Sequence, residues 1–389
     1  MPETNEHRLS IHDSIHLIRR SVWDVITKGA GPYLLYDHLG VLEDVMAGTM
    51  QFRYAIFSDA RYRPVGVACF QILDLEDNGS VYGEAVRRLG AVIGARVVKE
   101  LKVRSLVCGN VFHLGDHGVQ FIKGISLEDQ LSAVDVAMAQ VRTDARIEPR
   151  IAVSIFKDVV QEQTAASALE NRGYHPLAMD LNMVMDISPS WIDLDGYQRA
   201  LTSKARTRIR SIFGRSPGLV VTSLSAQQIK ALEPTIQLLF DQVLERAPFV
   251  FGRLNVAVYS RWKTVHGDGL MFRGFFVDGA LVGFSAAFVV GDTLDAQYVG
   301  IDYTQNEKHM IYQRMLLDLL DLALQHGLRH VNFGRTAEQA KSSLGAGPVQ
   351  LPFYVKHRNK MANVIIGPFL RKVKPSDFGP RTPFKKVGP

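Results

Sequence analysis

Residues 271–290 read MFRGFFVDGALVGFSAAFVV, two apolar runs rich in Phe, Val and Ala that flank Asp278 and Gly279. An Asp-Gly pair between two such runs predicts a two-residue β-hairpin, because a type I′ turn requires positive φ at both central positions. A third run, residues 293–301 (TLDAQYVGI), follows Gly291 and Asp292. The stretch therefore predicts an antiparallel meander of three strands.

After Met310 the spacing of apolar residues changes from alternation to a helical period. Gly327 stands where a C′ glycine ends a helix, and a short strand follows at residues 330–333 (HVNF). The order of elements predicts an α+β unit, with a loop from Asp302 to Met310 between the third strand and the helix. The residues that carry the helical period are Ile311, Met315, Leu316, Leu319, Leu322 and Ala323.

This order of elements resembles the GNAT acyltransferase fold. Three segments, 333–336 (FGRT), 341–346 (KSSLGA) and 353–356 (FYVK), are more similar to the FemAB-related, acetyltransferase 6 branch, whose members often carry two such domains in tandem. The first half of the chain repeats the pattern at lower similarity, with a helical insert expected at 84–101. The resemblance implies two tandem GNAT-like domains, each a mostly antiparallel sheet flanked by helices; one large irregular domain is the alternative.

The expected domains follow from this resemblance and from breaks in composition. They are an N-terminal GNAT-like domain at 1–188, a basic linker helix at 189–216, an active C-terminal GNAT-like domain at 217–370 and a flexible basic tail at 371–389. Lys204, Arg206, Arg208 and Arg210 belong to the linker helix. They form either a solvated face or a surface on which phosphate groups dock.

Composition limits the class of protein. The chain has 389 residues, 47% of them hydrophobic and 22% charged, which suits about two packed domains. The net charge of +6 is compatible with phosphate-bearing ligands. Cys69 and Cys108 form no C-x-x-C motif, the N-terminus is polar, and no apolar run reaches the ~18 residues of a membrane span. We expect a soluble cytoplasmic protein with no transmembrane segment.

The loop before the helix is the expected binding site of the acyl donor. The resemblance places the acyl-CoA pyrophosphate at this turn, where free backbone N–H groups and the helix dipole favour phosphate. The usual Gln/Arg-x-x-Gly-x-Gly/Ala loop is absent, since residues 303–312 (YTQNEKHMIY) contain no glycine. The predicted donor-binding residues are Val299, Ile301, Lys308, His309, Met310 and Arg314.

Tyr298 and Asp302 are the first two candidate catalytic residues. Strand alternation places Tyr298 on one face with Ala296 and Gly300, with Asp295 and Gln297 on the other. Tyr298 could protonate the leaving thiol, or it is a half-buried strand tyrosine. Asp295, Gln297 and Asp302 could each act as a base or bind the acceptor amine, whereas a carboxylate at a strand end more often caps the next helix.

A second cluster of candidates follows the short strand. Arg335 and Lys341 are predicted to be catalytic, and Thr336, Ser342 and Tyr354 to bind the substrate. An arginine and a lysine at the opening of the sheet suit a carboxylate or phosphate on the acceptor. The alternative is an internal ion pair and a surface lysine.

Other site classes find less support. His113 and His117 have i,i+4 spacing beside Asp116, but Gly115 and Gly118 indicate a loop, so no metal site is predicted. No Walker loop, Rossmann glycine pattern or G-x-S-x-G motif occurs.

The resemblance implies an N-acyltransferase that moves an acyl group from a thioester, with acyl-CoA as co-substrate, directly onto a small-molecule amine. No tightly bound cofactor is expected. Acyl-carrier protein is another donor. The alternatives are a FemAB-type transferase that uses aminoacyl-tRNA, and a degenerate protein that binds a thioester or cell-wall precursor without catalysis.

Overall fold

The computed structural model describes residues 8–75, 103–159, 163–247, 252–374 and 378–385; the helical insert expected at 84–101 lies outside these ranges. The chain divides into two compact units. The N-terminal unit comprises residues 1–179, 248–254 and 350–375, and the C-terminal unit comprises residues 180–247, 255–349 and 376–389. Each unit contains a sheet flanked by helices, so the α+β class expected from the sequence is confirmed.

The N-terminal unit is built on a mixed sheet. Its strands, numbered along the whole chain, are β1 (Arg8–His12), β2 (Gln51–Ser58), β3 (Pro64–Leu75), β4 (Val103–Cys108), β5 (Val119–Phe121), β6 (Val153–Phe156), β7 (His175–Leu177) and β15 (Phe353–His357). The sheet order is β1-β2-β3-β4-β6-β15-β7, and β5 also pairs with β3. Strand β4 runs parallel to β6, and the other described pairs are antiparallel.

The described helices of this unit are α1 (Arg20–Thr27), α2 (Tyr36–Met46), α3 (Leu127–Arg142), α4 (Gln163–Asn171) and α13 (Lys360–Leu370). Helix α3 shows how they pack. It begins after the N-cap Ser126, whose Oγ accepts a hydrogen bond from Asp129 N at 3.1 Å. Its apolar residues recur at i, i+3, i+4 and i+7 and bury one face in the core, namely Val134, Ala137, Met138 and Val141.

The described residues of the C-terminal unit form a seven-stranded sheet. Its strands are β8 (Asn182–Asp186), β9 (Val220–Ser223), β10 (Leu270–Val277), β11 (Ala280–Val290), β12 (Thr293–Ile301), β13 (His330–Asn332) and β14 (Gly347–Val349). The sheet order is β14-β8-β13-β12-β11-β10-β9. The predicted hairpin is confirmed: Asp278 and Gly279 have φ of 49° and 78°, and Val277 pairs with Ala280.

The helices of the C-terminal unit are α5 (Leu194–Ala200), α6 (Ser203–Arg215), α7 (Ala226–Ala231), α8 (Glu233–Leu244), α9 (Val258–His266), α10 (Tyr303–His309), α11 (Ile311–Gln325) and α12 (Glu338–Ser342). Helix α11 is the long helix predicted after Met310. It buries Met315, Leu316 and Ala323, and Gly327 beyond its end has φ 63°. Within the described residues, no helix is long and apolar enough to cross a membrane.

Two strands belong to a different sheet than chain order suggests. Strand β8, which falls in the expected N-terminal domain 1–188, pairs with β13 and β14. Strand β15, which falls in the expected C-terminal domain 217–370, pairs with β6 and β7. Hydrogen-bond partners decide which sheet a strand joins, and the sequence of a short strand does not specify its partner. The compact units therefore differ from the expected ranges at both places.

Segments of the expected linker and of the expected tail belong to the C-terminal unit. Helices α5 and α6 fill most of the expected linker, and both belong to the C-terminal unit. Phe384 of the tail forms a β-bridge with Leu201, and its ring stacks on Trp191 with centroids 5.4 Å apart. The Phe384 side chain of the expected tail therefore packs against the C-terminal unit.

The packing of α11 generates a stability prediction. Leu320 is fully buried in the core, whereas Leu238 on α8 is 66% exposed. Replacing Leu320 by Ala leaves a cavity, and we expect a loss of about 2–5 kcal/mol in the unfolding free energy. Leu238→Ala should change it by less than about 0.5 kcal/mol. Chemical denaturation of both variants checks this; equal losses would contradict the assigned core.

Candidate active site

The sheet of the C-terminal unit opens between its parallel strands. Strand β13 pairs with β12 only from Thr293↔His330 to Asp295↔Asn332, whereas β12 continues to Ile301 paired with β11. We call this opening the strand fork, defined by residues 295–301 and 332–335. Ligands of open α/β sheets bind in the crevice outside the carboxyl ends of parallel strands. The fork is therefore the candidate active site.

A β-bulge lies at the fork. Ser285 and Ala287 of β11 pair with Val299 and Ala296 of β12, so β12 has one extra residue between these pairs. A bulge re-aims the side chains that follow it. Ala296 packs in the same core cluster as residues of α11, whereas the Tyr298 ring contacts Phe240 of α8 with centroids 5.1 Å apart. The prediction that Ala296 and Tyr298 share a face is wrong because the bulge interrupts the alternation.

Asp295 is the buried carboxylate of the fork. It is 3% exposed. Asn332 Nδ2 donates to Oδ1 at 2.6 Å, and Gln297 Nε2 donates to Oδ2 at 2.9 Å. Both oxygens therefore accept a hydrogen bond that fixes the plane of the carboxylate.

Sequence alternation offered Asp295 as a base on equal terms with Gln297 and Asp302, and did not single it out. The contact that distinguishes Asp295 is its hydrogen bond with Asn332, which joins segments 37 residues apart in the chain. A sequence signal was present only in the Asn that ends the strand HVN, and its partner could not be identified without the parallel pairing of β12 and β13.

The two catalytic candidates on and after β12 differ in surroundings. Tyr298 is half-buried at the bulge, and burial raises the pKa of its phenol, which therefore stays protonated at neutral pH. Asp302 caps α10 by accepting from Thr304 N at 2.9 Å and from Thr304 Oγ1 at 2.6 Å. The capping role that the sequence left open for Asp302 is thus observed.

Lys341 is held inside the fold after β13. It is 3% exposed, and its Nζ donates to the backbone oxygens of Gly334 at 3.0 Å and Arg335 at 2.6 Å. Burial lowers the pKa of Lys341 to about 7. The alternative of a surface lysine is therefore wrong. Lys341 positions the loop at the end of β13 by binding two of its carbonyls.

That loop has a strained backbone. Thr336 and Ala337 have φ of 64° and 51°, a region that non-glycine residues rarely adopt and that a β-branched residue adopts at a cost. Arg335 Nε donates to Asp180 O at 3.1 Å. Thr336 is exposed, whereas Ser342 is fully buried and its Oγ accepts from Arg381 N at 3.3 Å. The structure therefore brings Arg335 and Lys341 together, with Ser342 inside the fold.

The expected phosphate loop is a helix instead. Gln305 N and Asn306 N donate to Asp302 O, and Tyr312 N donates to Asn306 Oδ1 at 3.0 Å. Within the predicted loop 302–310, the amides of Gln305, Asn306 and Met310 thus have acceptors in the chain. The reason is that residues 303–309 form α10, which ends at Met310 with φ 51°.

The predicted donor-binding side chains lie in different surroundings around α10. Val299 and Ile301 pack in an apolar cluster with residues of α11. Lys308 is exposed, and His309 is 9% exposed with its Nε2 buried and unpaired among the described residues. The Arg314 guanidinium lies 4.4 Å from the centre of the Phe213 ring. Their role in donor binding stays a prediction.

Tyr354, predicted to bind the substrate, belongs to the N-terminal unit. It lies on β15 and is 5% exposed. It lines a cavity of about 210 Å³ together with Pro176, Leu351 and Leu370. It was assigned to the C-terminal site because of its position in the chain. However, β15 pairs with β6 and β7 in the sheet of the N-terminal unit.

In the N-terminal unit, a buried imidazole pair joins His113, in the loop after β4, to His38 on α2. His113 Nε2 lies 2.9 Å from His38 Nε2, and the His113 ring stacks on Tyr33 with centroids 3.9 Å apart. Burial lowers the pKa of His117 to about 4. In the described part of the chain, no group of three or more His, Cys, Asp or Glu residues is arranged to hold a metal ion.

The burial of Lys341 generates a pH prediction. Its pKa is about 7 in the folded protein and about 10.4 when unfolded, so between these values the unfolded chain binds more protons. The contribution of Lys341 to the unfolding free energy therefore rises from pH 7 to pH 10, by at most about 1.4 kcal/mol per pH unit. Lys341→Met should flatten this rise in denaturant titrations, and Lys308→Met should not. An unchanged slope in Lys341→Met would contradict the burial.

Comparison with known proteins supports the fold. No protein-family model and no curated protein matches the sequence. Among solved structures, FemX covers 92% of this chain and 100% of its own, with a TM-score of 0.53 and 12% identity. A tandem GNAT protein from the clavulanic acid biosynthesis pathway covers 95% of this chain and 100% of its own, with a TM-score of 0.51 and 12% identity. The chain therefore shares its fold with FemX and with this tandem GNAT protein.

Proposed function

We propose that the C-terminal unit transfers an acyl group from a thioester to an amine by direct attack at the strand fork. The observation that carries this proposal is a buried, doubly hydrogen-bonded carboxylate at the point where two parallel strands separate. Beyond Asp295, the edge of β12 that faces away from β11 has no partner strand among the described residues. Such an edge can pair with the amide groups of an extended donor, as an added strand does.

Asp295 is the proposed general base. An amine must lose a proton as its nitrogen attacks the thioester carbonyl, and a carboxylate can accept that proton. The amides of Asn332 and Gln297 aim the two oxygens of Asp295. A carboxylate oxygen has more than one lone pair, so an oxygen that accepts one hydrogen bond still binds a proton. A base held in one orientation lowers the entropic cost of proton transfer.

Tyr298 is the proposed general acid. As the tetrahedral intermediate collapses, the C–S bond breaks and the leaving sulfur needs a proton. The phenol of Tyr298 lies on the bulge three residues from Asp295 and is protonated at neutral pH. Base and acid therefore lie along one strand, and the protons balance: one leaves the amine, and one reaches the thiol.

Arg335 is proposed to bind an anionic group of the acceptor. It leaves the end of β13 on a loop whose carbonyls Lys341 holds in place. A guanidinium suits a carboxylate or phosphate through paired hydrogen bonds. Lys341 in this proposal acts on the loop, and its loss affects acceptor binding through Arg335.

The donor is proposed to be an acyl-CoA. A second donor, aminoacyl-tRNA, is favoured by two observations. The backbone amides at 305–312 that would hold a pyrophosphate include several with internal acceptors. Helices α5 and α6 also line a cavity of about 440 Å³ with Arg199, Arg206 and Arg210, which suits a polyanion.

Asp295→Asn tests the catalytic assignment. The change keeps the size of the side chain and removes the base, so turnover of an acyl donor with an amine should fall by about 10²–10⁴-fold. Asp292→Asn is the matched control, because Asp292 lies in the exposed turn directly before β12 begins at Thr293. The control variant should keep full turnover.

Circular dichroism and thermal unfolding of both variants check that folding is retained. Full turnover by Asp295→Asn in a folded protein would show that Asp295 is not the base.

Calorimetry separates the two donors. We expect acetyl-CoA or a longer acyl-CoA to bind the wild type, and Arg206→Glu with Arg210→Glu to leave this binding unchanged. If aminoacyl-tRNA is the donor, the same pair of changes should weaken its binding at least about tenfold, because each removes a phosphate contact and adds a repulsive charge.

Arg335→Ala should lower turnover while donor binding is kept. Binding of neither donor would contradict the proposal and favour a binding protein without catalysis.

A further inference from the structure

Helix α13 of the N-terminal unit presents an apolar stripe to solvent. Met361 is 77% exposed, Val364 is 72% exposed and Ile365 is 53% exposed, and Pro368 is exposed beside them. Positions i, i+3, i+4 and i+7 of a helix share one face, so these side chains form one continuous strip. Scattered exposed apolar residues are common, but a contiguous strip on one face marks an interaction site.

The opposite face of α13 is fixed to the N-terminal unit. Asn363 Nδ2 donates to Gly173 O at 2.8 Å, and its Oδ1 accepts from His357 N at 2.7 Å. Gly367 lies so close to the His175 ring that an added Cβ would come within 2.6 Å of it, and Leu370 is 4% exposed. The stripe is therefore held outward by packing on the other side.

Cations flank both ends of the stripe. Residues 352–374 contain no Asp or Glu. Arg358 and Lys360 at the start of α13, and Lys372 and Lys374 after its end, are exposed. Among the described residues none of these four forms a side-chain hydrogen bond or ion pair, whereas the neighbouring Arg371 lies 3.7 Å from Glu170. The surface thus joins an apolar centre to positively charged ends.

We infer that α13 docks on a membrane surface that contains anionic lipid. The stripe would enter the boundary between headgroups and acyl chains, while the flanking cations meet lipid phosphates. A nucleic acid would match the cations and leave the stripe uncovered. A second copy of this face would cover the stripe and bring like charges together. The helix has 11 residues and is about 16 Å long, so it lies along the membrane surface.

Vesicle co-sedimentation of the full chain tests this inference, which does not depend on the transferase activity. The protein should bind vesicles of phosphatidylglycerol and phosphatidylcholine in equal parts, bind phosphatidylcholine vesicles far more weakly, and lose affinity as salt is raised. Val364→Ser with Ile365→Ser should weaken binding to the acidic vesicles at least about tenfold. Leu238→Ser, at an exposed apolar position on α8, is the matched control and should bind like the wild type.

Charge variants complete the test. Lys360→Gln and Lys372→Gln should each weaken binding about fivefold, whereas Lys123→Gln, at an exposed position elsewhere in the same unit, should not. Failure of the wild type to bind acidic vesicles would overturn the inference. Binding of the Val364→Ser, Ile365→Ser variant at wild-type strength would also overturn it. So would self-association of the wild type that depends on protein concentration in sedimentation velocity and that this variant abolishes.

Discussion

The hydrogen bonding of β12 is the constraint on which the candidate site depends. This strand pairs with β11 along its length, but with β13 only as far as Asp295. Strong pairing on one side keeps β12 extended beyond the last contact with β13. The end of pairing on the other side opens the sheet without disrupting the core. The bulge at residues 297–298 falls at this place, so the strand turns its tyrosine toward α8 where the opening begins.

Polar contacts on the other side of the fork keep the opening in one shape. Asn332 joins the end of β13 to Asp295, and its Oδ1 accepts from Gly334 N at 3.1 Å. Lys341 then holds the carbonyls of Gly334 and Arg335, in a loop that contains two non-glycine residues with positive φ. A backbone conformation of this kind persists only where the contacts around it hold it in place. The buried amine of Lys341 therefore stabilises the strained conformation of the loop after β13.

Local patterns predicted much of the C-terminal fold. The Asp278–Gly279 turn requires positive φ, and the helical period after Met310 requires one buried face. Both features can be read from a continuous stretch of the sequence. The pairing of β8 and β15 could not be predicted, because partner choice depends on residues far away in the chain. The bulge was not predicted from the sequence, for a similar reason. One extra residue in β12 is visible only against β11, so alternation placed Ala296 with Tyr298. Helix α10 was missed because its seven residues carry no clear apolar period.

Hydrogen–deuterium exchange of the β12 backbone tests most directly whether the fork holds the donor. With saturating acyl donor, the amides of residues 296–301 that face away from β11 should exchange more slowly, while those of β9 remain unchanged. Unaltered exchange throughout β12, measured under conditions in which the donor is bound or turned over, would contradict a donor seated in the strand fork.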